Sequence, residues 1–170
     1  MLARDLEANT EHTPPNPQRP LALSVWRTVV MGRKRYFSLE EANAMIPEID
    51  RVMRRLLQLN AELKATHRRL QDKDAVPSEL EFSLAPPGAD DETIDLLTTF
   101  KALLVGLQDE IDQLADSGCL VKHIEHGLID WYYRKDDRDV LLCWKLGEKS
   151  VMYWHELDAG FQGRQPVSEL

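Results

Sequence analysis

Residues 130–164 read DWYYRKDDRDVLLCWKLGEKSVMYWHELDAGFQGR, and this stretch decides the fold of the C-terminal part of the chain. It contains three of the four Trp residues, three of the four Tyr residues and one of the two Cys residues. Aromatic and β-branched runs are interrupted at residues 135–138 and again at 146–149, a pattern typical of two consecutive β-hairpins. The stretch therefore predicts a small antiparallel sheet followed by a polar tail.

Strand alternation assigns the side chains of the first hairpin to two faces. If residues 135–138 form its turn, antiparallel pairing gives one face with Ile129, Trp131, Tyr133, Val140, Leu142 and Trp144, and a second face with Asp130, Tyr132, Leu141 and Cys143. Both faces are largely apolar, so each needs a cover. We expect helices to cover one face, and the tail, residues 119–127 or a second subunit to cover the other.

Two amphipathic helices are predicted upstream of this sheet. Ser38 and Glu41 form a capping box that starts the first helix, and Pro47 predicts a kink or a brief break in it. The helix is predicted to end at about Gln71. Its apolar positions keep helical spacing and are Ile49, Val52, Leu56, Leu59, Leu63 and Leu70.

The second helix is predicted to begin near Asp90 and to end at Gly118. Its apolar seam consists of Leu97, Phe100, Leu104, Leu107, Ile111 and Leu114. Residues 72–90, with three Pro and a Gly, are predicted to form the loop between the helices. The simplest packing is an antiparallel helical hairpin, and a coiled-coil dimer on the same seams is the alternative. The predicted fold class is therefore α+β: an antiparallel helical hairpin with a small C-terminal antiparallel β-sheet.

The N-terminal segment, residues 1–35, differs from the rest of the chain. Four Pro fall within residues 14–20, and no amphipathic period is present. We expect either a disordered extension or a mis-annotated start, with Met31 as the true first residue. Residues 36–167 are expected to form a single α+β domain.

Composition narrows the class of protein. The net charge of −8 and the pI of about 5.1 argue against nucleic-acid binding, which needs a basic surface. No apolar run approaches the roughly 20 residues that span a bilayer, so no membrane association is expected. The opening residues lack the pattern of a signal peptide, and two Cys do not make a disulfide framework. A cytoplasmic location is the expectation.

Two sets of residues are candidate metal sites. In an extended segment His123 and His126 point to opposite faces, which argues against shared ligation. Cys143, His155, Asp158 and Asp130 could bind Zn²⁺, depending on the second turn. A four-residue loop puts Cys143 and His155 on opposite faces, and a five-residue loop puts them on the same face.

The favoured interpretation of this second set is a packed Cys143 and a hydrogen-bonded His155, separated by strand alternation. We therefore expect no metal and no cofactor. Nucleophilic catalysis by Cys143 and His155 is disfavoured, because Cys143 sits between two large apolar residues in a strand.

The tail carries the other candidate site. Gly160, Gly163 and Arg164 could form a backbone nest beside a guanidinium, which is an anion site. The alternative is a tight turn with Arg164 bridged to Asp158 or Glu148. We expect His155, Asp158 and Arg164 to cluster at one end of the sheet. The full set of candidate ligand-binding residues is Asp130, Trp144, Glu148, His155, Asp158, Gly160, Gly163 and Arg164.

Four blocks carry a family resemblance: YFSLEEANA at 36–44, GLID at 127–130, LCWKLGE at 142–148 and YWHELDAGF at 153–161. With them the chain resembles an uncharacterised bacterial family, domain of unknown function 2203, over about residues 36–167. The resemblance implies that the last two blocks, with the following Gly-Arg, are the characteristic parts of the family. It implies no activity, and whether the protein is an enzyme stays open.

Three functions are compatible with the sequence. The first is a non-enzymatic module that binds a small anionic ligand or a protein partner at the sheet end and tail. The second is a metal-assisted hydrolase or transferase that uses His155 and Asp158. The third is a coiled-coil dimerisation or scaffold protein. A homodimer would form through the helical seam or the second sheet face.

The N-terminal extension gives the first testable prediction. A chain that begins at Met31 should melt at the same temperature as the full chain, because residues 1–30 show neither periodicity nor a capping signal. Thermal melts of the two chains test this. A fall of more than about 5 °C in the shorter chain would mean that the extension packs on the domain.

Overall fold

A computed structural model describes residues 34–77 and 87–170. Its elements are helices α1 (Leu39–Asp72) and α2 (Asp91–Asp116) and strands β1 (Leu120–His123), β2 (Leu128–Lys135), β3 (Arg138–Lys145), β4 (Tyr153–Glu156) and β5 (Gln165–Pro166). Short 3-10 turns occupy Phe161–Gly163 and Val167–Glu169. The predicted α+β class, a helical hairpin followed by an antiparallel sheet, is confirmed. Residues 1–33 of the extension predicted over residues 1–35, and residues 78–86 of the predicted inter-helix loop, lie outside the described residues.

Helix α1 begins at the predicted capping box. The Ser38 hydroxyl accepts a hydrogen bond from the Glu41 N–H at 3.1 Å, and the Glu41 carboxylate accepts one from the Ser38 N–H at 2.7 Å. The predicted break at Pro47 is wrong, because α1 continues through it. Proline removes one helical hydrogen bond. Ile46 and Ile49 on either side of it are both buried in the core, so tertiary packing is available to offset that loss.

Helix α2 has the predicted ends. The Asp90 carboxylate caps it by accepting a hydrogen bond from the Thr93 N–H at 2.7 Å, and Gly118 follows its last turn with φ +91°. Leu103 takes the buried position that was predicted for Leu104, which is half-buried. An α-helix has 3.6 residues per turn, so its buried stripe drifts from a strict 3-4 spacing. Among the described residues, no helix is long and apolar enough to cross a bilayer.

The five strands form one antiparallel sheet in the order β1-β2-β3-β4-β5. Arg134 pairs with Asp139, so the predicted register of the first hairpin is confirmed. Its turn is tighter than predicted, with only Asp136 and Asp137 unpaired, and both adopt positive φ. Residues of this kind suit a two-residue hairpin turn. Strand β5 was not predicted, because two residues show no periodicity.

One face of the sheet shares a hydrophobic core with the helical hairpin. Its core residues are Ile129, Trp131, Val140, Leu142, Trp144 and Trp154. Asn43 of α1 ties this core to the second hairpin, since its side-chain oxygen accepts the Val151 N–H at 2.7 Å. The sheet is also fixed at its N-terminal side, where the Phe37 N–H donates to the Tyr132 carbonyl at 2.9 Å.

The chain just before α1 packs on the sheet as well. Lys34 forms an ion pair with Asp139 of β3, and the Tyr36 hydroxyl donates to the same carboxylate at 3.0 Å. Arg35 lies over the Phe37 ring. The described chain therefore makes sheet contacts two residues ahead of the domain start expected at Tyr36.

Gly118 provides a test of how closely the hairpin end packs on Phe37. A Cβ at Gly118 would lie 2.8 Å from Phe37 Cζ, whereas a Cβ at Gly88 would meet nothing within 4 Å. Both glycines have positive φ, so Gly88→Ala is a matched control for backbone strain. We expect Gly118→Ala to lower the free energy of unfolding by about 1–3 kcal/mol more than Gly88→Ala. Urea unfolding measures both, and equal losses would contradict this packing.

Candidate functional site

The sheet face opposite the helices carries three buried polar residues, one on each of three neighbouring strands. Asp130 of β2 pairs directly with Cys143 of β3, and His155 of β4 pairs with Leu141, two residues from Cys143. Asp130 and His155 are each 1% exposed, and Cys143 is 2% exposed. One carboxylate oxygen, the sulfur and one ring nitrogen all lie within 4.8 Å of one another. We call Asp130, Cys143 and His155 the polar cluster.

The expectation that strand alternation separates Cys143 from His155 is wrong. Cys143 pairs with Tyr153 and Leu141 with His155, which is the register of the five-residue loop and puts both side chains on one face. Glu148 supports this wider turn. Its carboxylate accepts the Lys145 N–H at 2.8 Å, and its carbonyl accepts the Trp144 indole N–H at 2.8 Å.

The hydrogen bonds of His155 define the chemistry of the cluster. Its Nδ1 lies 2.7 Å from the Glu156 carbonyl, which can only accept, so Nδ1 carries a hydrogen. Its Nε2 lies 3.2 Å from Asp130 Oδ2. A ring nitrogen and a carboxylate oxygen in contact need a proton or a cation between them. Burial lowers the pKa of His155, but hydrogen bonds to Asp130 and to the Glu156 carbonyl outweigh it, and the net pKa shift is upward.

The other two members of the polar cluster are the Cys143 thiol and the Asp130 carboxylate. Burial, together with the nearby charge of Asp130, strongly raises the pKa of the Cys143 thiol. The thiol is therefore neutral at physiological pH and is no nucleophile by itself. Asp130 Oδ1 is buried and has no hydrogen-bond partner among the described residues. The neighbouring thiol compensates this oxygen poorly, because S–H is a weak donor.

An ion pair lies beside the cluster. Arg164 Nη2 donates to both Glu148 oxygens, at 2.7 and 2.8 Å, and to the Cys143 carbonyl at 3.3 Å. The guanidinium lies over the rings of Tyr153, at 4.0 Å, and Phe161, at 4.8 Å. The side chains of Arg164 and Glu148 are 11% and 17% exposed, so this pair is largely shielded from water.

The structure separates the residues of the predicted site into groups. Asp130 and His155 join Cys143, and Glu148 joins Arg164. Trp144 lies on the opposite face of the sheet, within the core. Asp158 is exposed, and no hydrogen bond or ion pair links it to His155 or Arg164 in the described part of the chain.

The two glycines of the tail shape its path. Gly160 has φ +59°, and a Cβ at Gly163 would lie 2.4 Å from Ala159 Cβ. They allow the close reversal that precedes Arg164, and the Gly163 N–H donates to the Gly160 carbonyl at 3.0 Å.

The candidate ligand-binding residues omitted Cys143, although it belonged, with His155, Asp158 and Asp130, to a possible Zn²⁺ set that was disfavoured. The sequence did contain a signal for Cys143, because the predicted register of the first hairpin already placed Cys143 and Asp130 on the same face of the sheet. His123 and His126 lie elsewhere, in and after β1, with their rings stacked at 4.0 Å and exposed. Within residues 34–77 and 87–170, the polar cluster brings three potential metal ligands close together.

A family model described as uncharacterized conserved protein (DUF2203) matches residues 35–167. No curated protein and no solved structure matches the chain.

The shielded ion pair generates a prediction about stability. Arg164→Ala should lower the free energy of unfolding by about 2 kcal/mol, since it removes the ring stacking and leaves the Glu148 carboxylate poorly solvated. The control is Arg69→Ala, which breaks a pair with Glu92 in which both side chains are more than half exposed. That change should have almost no effect. Chemical denaturation measures both, and similar small losses would mean that the Arg164 pair contributes little.

Proposed function

We infer the function from the geometry of the polar cluster. The chain belongs to the DUF2203 family of uncharacterised conserved proteins, and the description of that family assigns no activity from which a function could be taken. We propose that the protein is a non-enzymatic binding module that holds a small ion at the cluster formed by Asp130, Cys143 and His155. The Glu148–Arg164 pair and the C-terminal tail form the wall of this site.

The observation that carries the proposal is the buried, unpartnered Oδ1 of Asp130. An unsatisfied buried polar atom costs on the order of 1–3 kcal/mol, and more when it is charged. Buried polar atoms in native proteins nearly always have partners, so an exception calls for one. A bound ion supplies the partner that the described residues do not.

Burial also favours binding over catalysis. A catalytic group has to reach a substrate, and the cluster side chains are 1–2% exposed. The metal-assisted hydrolase that uses His155 and Asp158 would need these two residues to act together. His155 is buried and engaged by Asp130 and Glu156, while Asp158 is exposed in the tail.

An anion site at Arg164 is less well supported. The guanidinium is already neutralised by Glu148 and stacked between two rings, so an incoming anion would have to displace a carboxylate from a shielded position. These contacts indicate a structural role for Arg164, which links the Cys143 carbonyl of β3 to Glu148 in the turn that follows β3.

The scaffold alternative has no particular observation in its favour. The apolar seams of α1 and α2, which would form a coiled-coil dimer, are buried in the core of this chain. Most exposed residues of α1 are polar or charged, and several of its Arg residues pair with carboxylates of the chain.

A screen of small ions tests the proposed function. Thermal melts of the chain, stripped of ions with a chelator, are compared in chloride, phosphate, sulfate, Ca²⁺, Mn²⁺ and Zn²⁺ at matched ionic strength. We expect at least one ion to raise the melting temperature, because a ligand at 100 times its dissociation constant adds roughly 2.7 kcal/mol.

The variants in the screen locate the site. Asp130→Asn should abolish the increase, whereas Asp158→Asn, which changes an exposed carboxylate of the same kind, should preserve it. If no ion stabilises the wild type, or if Asp130→Asn responds as the wild type does, the protein does not bind a small ion at the cluster.

A further inference from the structure

We propose that the ion is a divalent transition metal of the zinc type, coordinated by Asp130, by Cys143 Sγ and by His155 Nε2. This inference rests on the proposed binding function and names its ligand. The expectation of no metal depended on separating Cys143 from His155, and the observed register removes that reason.

The donor atoms select the ion. The neutral Cys143 thiol would release its proton to solvent as the metal binds and would coordinate as a thiolate. With an imidazole and a carboxylate it forms a mixed S, N and O set, which suits Zn²⁺, Co²⁺ and Fe²⁺. Mg²⁺ and Ca²⁺ prefer oxygen ligands throughout. The set therefore discriminates against the two abundant hard cations.

The orientation of His155 matches that of a metal ligand. Ligating His residues usually donate their second N–H to a carbonyl or a carboxylate, which fixes the tautomer and aims the other nitrogen at the metal. Nδ1 of His155 makes this bond to the Glu156 carbonyl at 2.7 Å. Nε2 therefore faces Asp130 Oδ2, and a metal that displaces the proton from this contact would bind its lone pair.

The separations of the ligand atoms are close to those around a bound ion. A tetrahedral zinc, with bonds of about 2.0–2.3 Å, holds its ligand atoms roughly 3.5 Å apart. His155 Nε2 and Asp130 Oδ2 are 3.2 Å apart, and all three ligand atoms lie within 4.8 Å. Side-chain movements on the order of 1 Å bring the sulfur into bonding distance.

Asp130 can bind a metal through either of its oxygens. Its Oδ2 faces His155, and its Oδ1 is the buried oxygen without a partner among the described residues. The two oxygens of one carboxylate lie too close together to fill two tetrahedral positions, so the three side chains supply three positions and leave the fourth for a water molecule or another small ligand.

The same atoms disfavour an anion in the cluster. A carboxylate, a sulfur and a nitrogen lone pair all present electron density to the shared space. The nearby guanidinium of Arg164 is committed to Glu148. A cation is therefore the complementary occupant, and a proton between His155 and Asp130 is its competitor.

Titration with Co²⁺ tests the inference on the full chain, purified without a histidine tag and stripped with a chelator. We expect about one equivalent of Co²⁺ to bind, with the absorption bands of tetrahedral Co²⁺ and a thiolate-to-cobalt charge-transfer band. Cys143→Ser should remove the charge-transfer band, and His155→Gln should weaken binding at least tenfold. Cys119→Ser and His126→Gln, which change the same residue types outside the cluster, should behave as the wild type.

X-ray absorption of the wild-type chain loaded with Zn²⁺ needs no variant, so it holds even if a substitution disturbs folding. One sulfur neighbour at about 2.3 Å supports the assignment. A shell of oxygen and nitrogen only, or a charge-transfer band that survives in Cys143→Ser and vanishes in Cys119→Ser, overturns it. If phosphate or sulfate stabilises the wild type but no transition metal binds, the metal is wrong while ion binding stands. If no ion binds at all, both proposals fail.

Discussion

The contact between His155 and Asp130 is the constraint around which the C-terminal part of this protein is arranged. A carboxylate and an imidazole, both almost fully buried, meet across strands β2 and β4 with the Cys143 thiol of β3 beside them. Burying ionisable groups is costly, and replacing them with packed apolar side chains is often neutral or stabilising. The contact is therefore weak evidence for stability by itself, and the ion site proposed above would account for the cost of burying it.

The rest of the fold holds these three strands in register. The helical hairpin covers one face of the sheet with an apolar core that includes Trp131, Trp144 and Trp154. At the edge of the sheet the tail folds back so that β5 pairs with β4, and Arg164 reaches the turn after β3 through Glu148. A one-residue slip of β4 would turn His155 into the core and Trp154 out of it. Trp154 belongs to the apolar core and His155 to the polar cluster, so the observed register is the one that places both side chains correctly.

Sequence reasoning reached the features that depend on local patterns. The capping box at Ser38, the acidic residues near Asp90 and the helical spacing predicted the two helices. A turn placed at residues 135–138 predicted the correct register of the first hairpin, and with it the pairing of Asp130 with Cys143. The register of the second hairpin could not be predicted, because Glu148 sets the width of that turn through bonds to Lys145 nearby and Arg164 far along the chain. Pro47 was misleading for a similar reason, since local preference there gives way to burial on both sides. The cluster depends on the second register, and only the structure could bring Cys143 and His155 together.

The central claim is that a transition metal lies between Asp130, Cys143 and His155. Anomalous diffraction from crystals of the full chain grown with Zn²⁺, recorded on both sides of the zinc absorption edge, tests it most directly. The account predicts one strong anomalous peak, within about 2.0–2.3 Å of Cys143 Sγ, His155 Nε2 and an Asp130 oxygen. The absence of an anomalous peak at the polar cluster, with zinc bound instead at the exposed His123 and His126, would contradict the metal assignment.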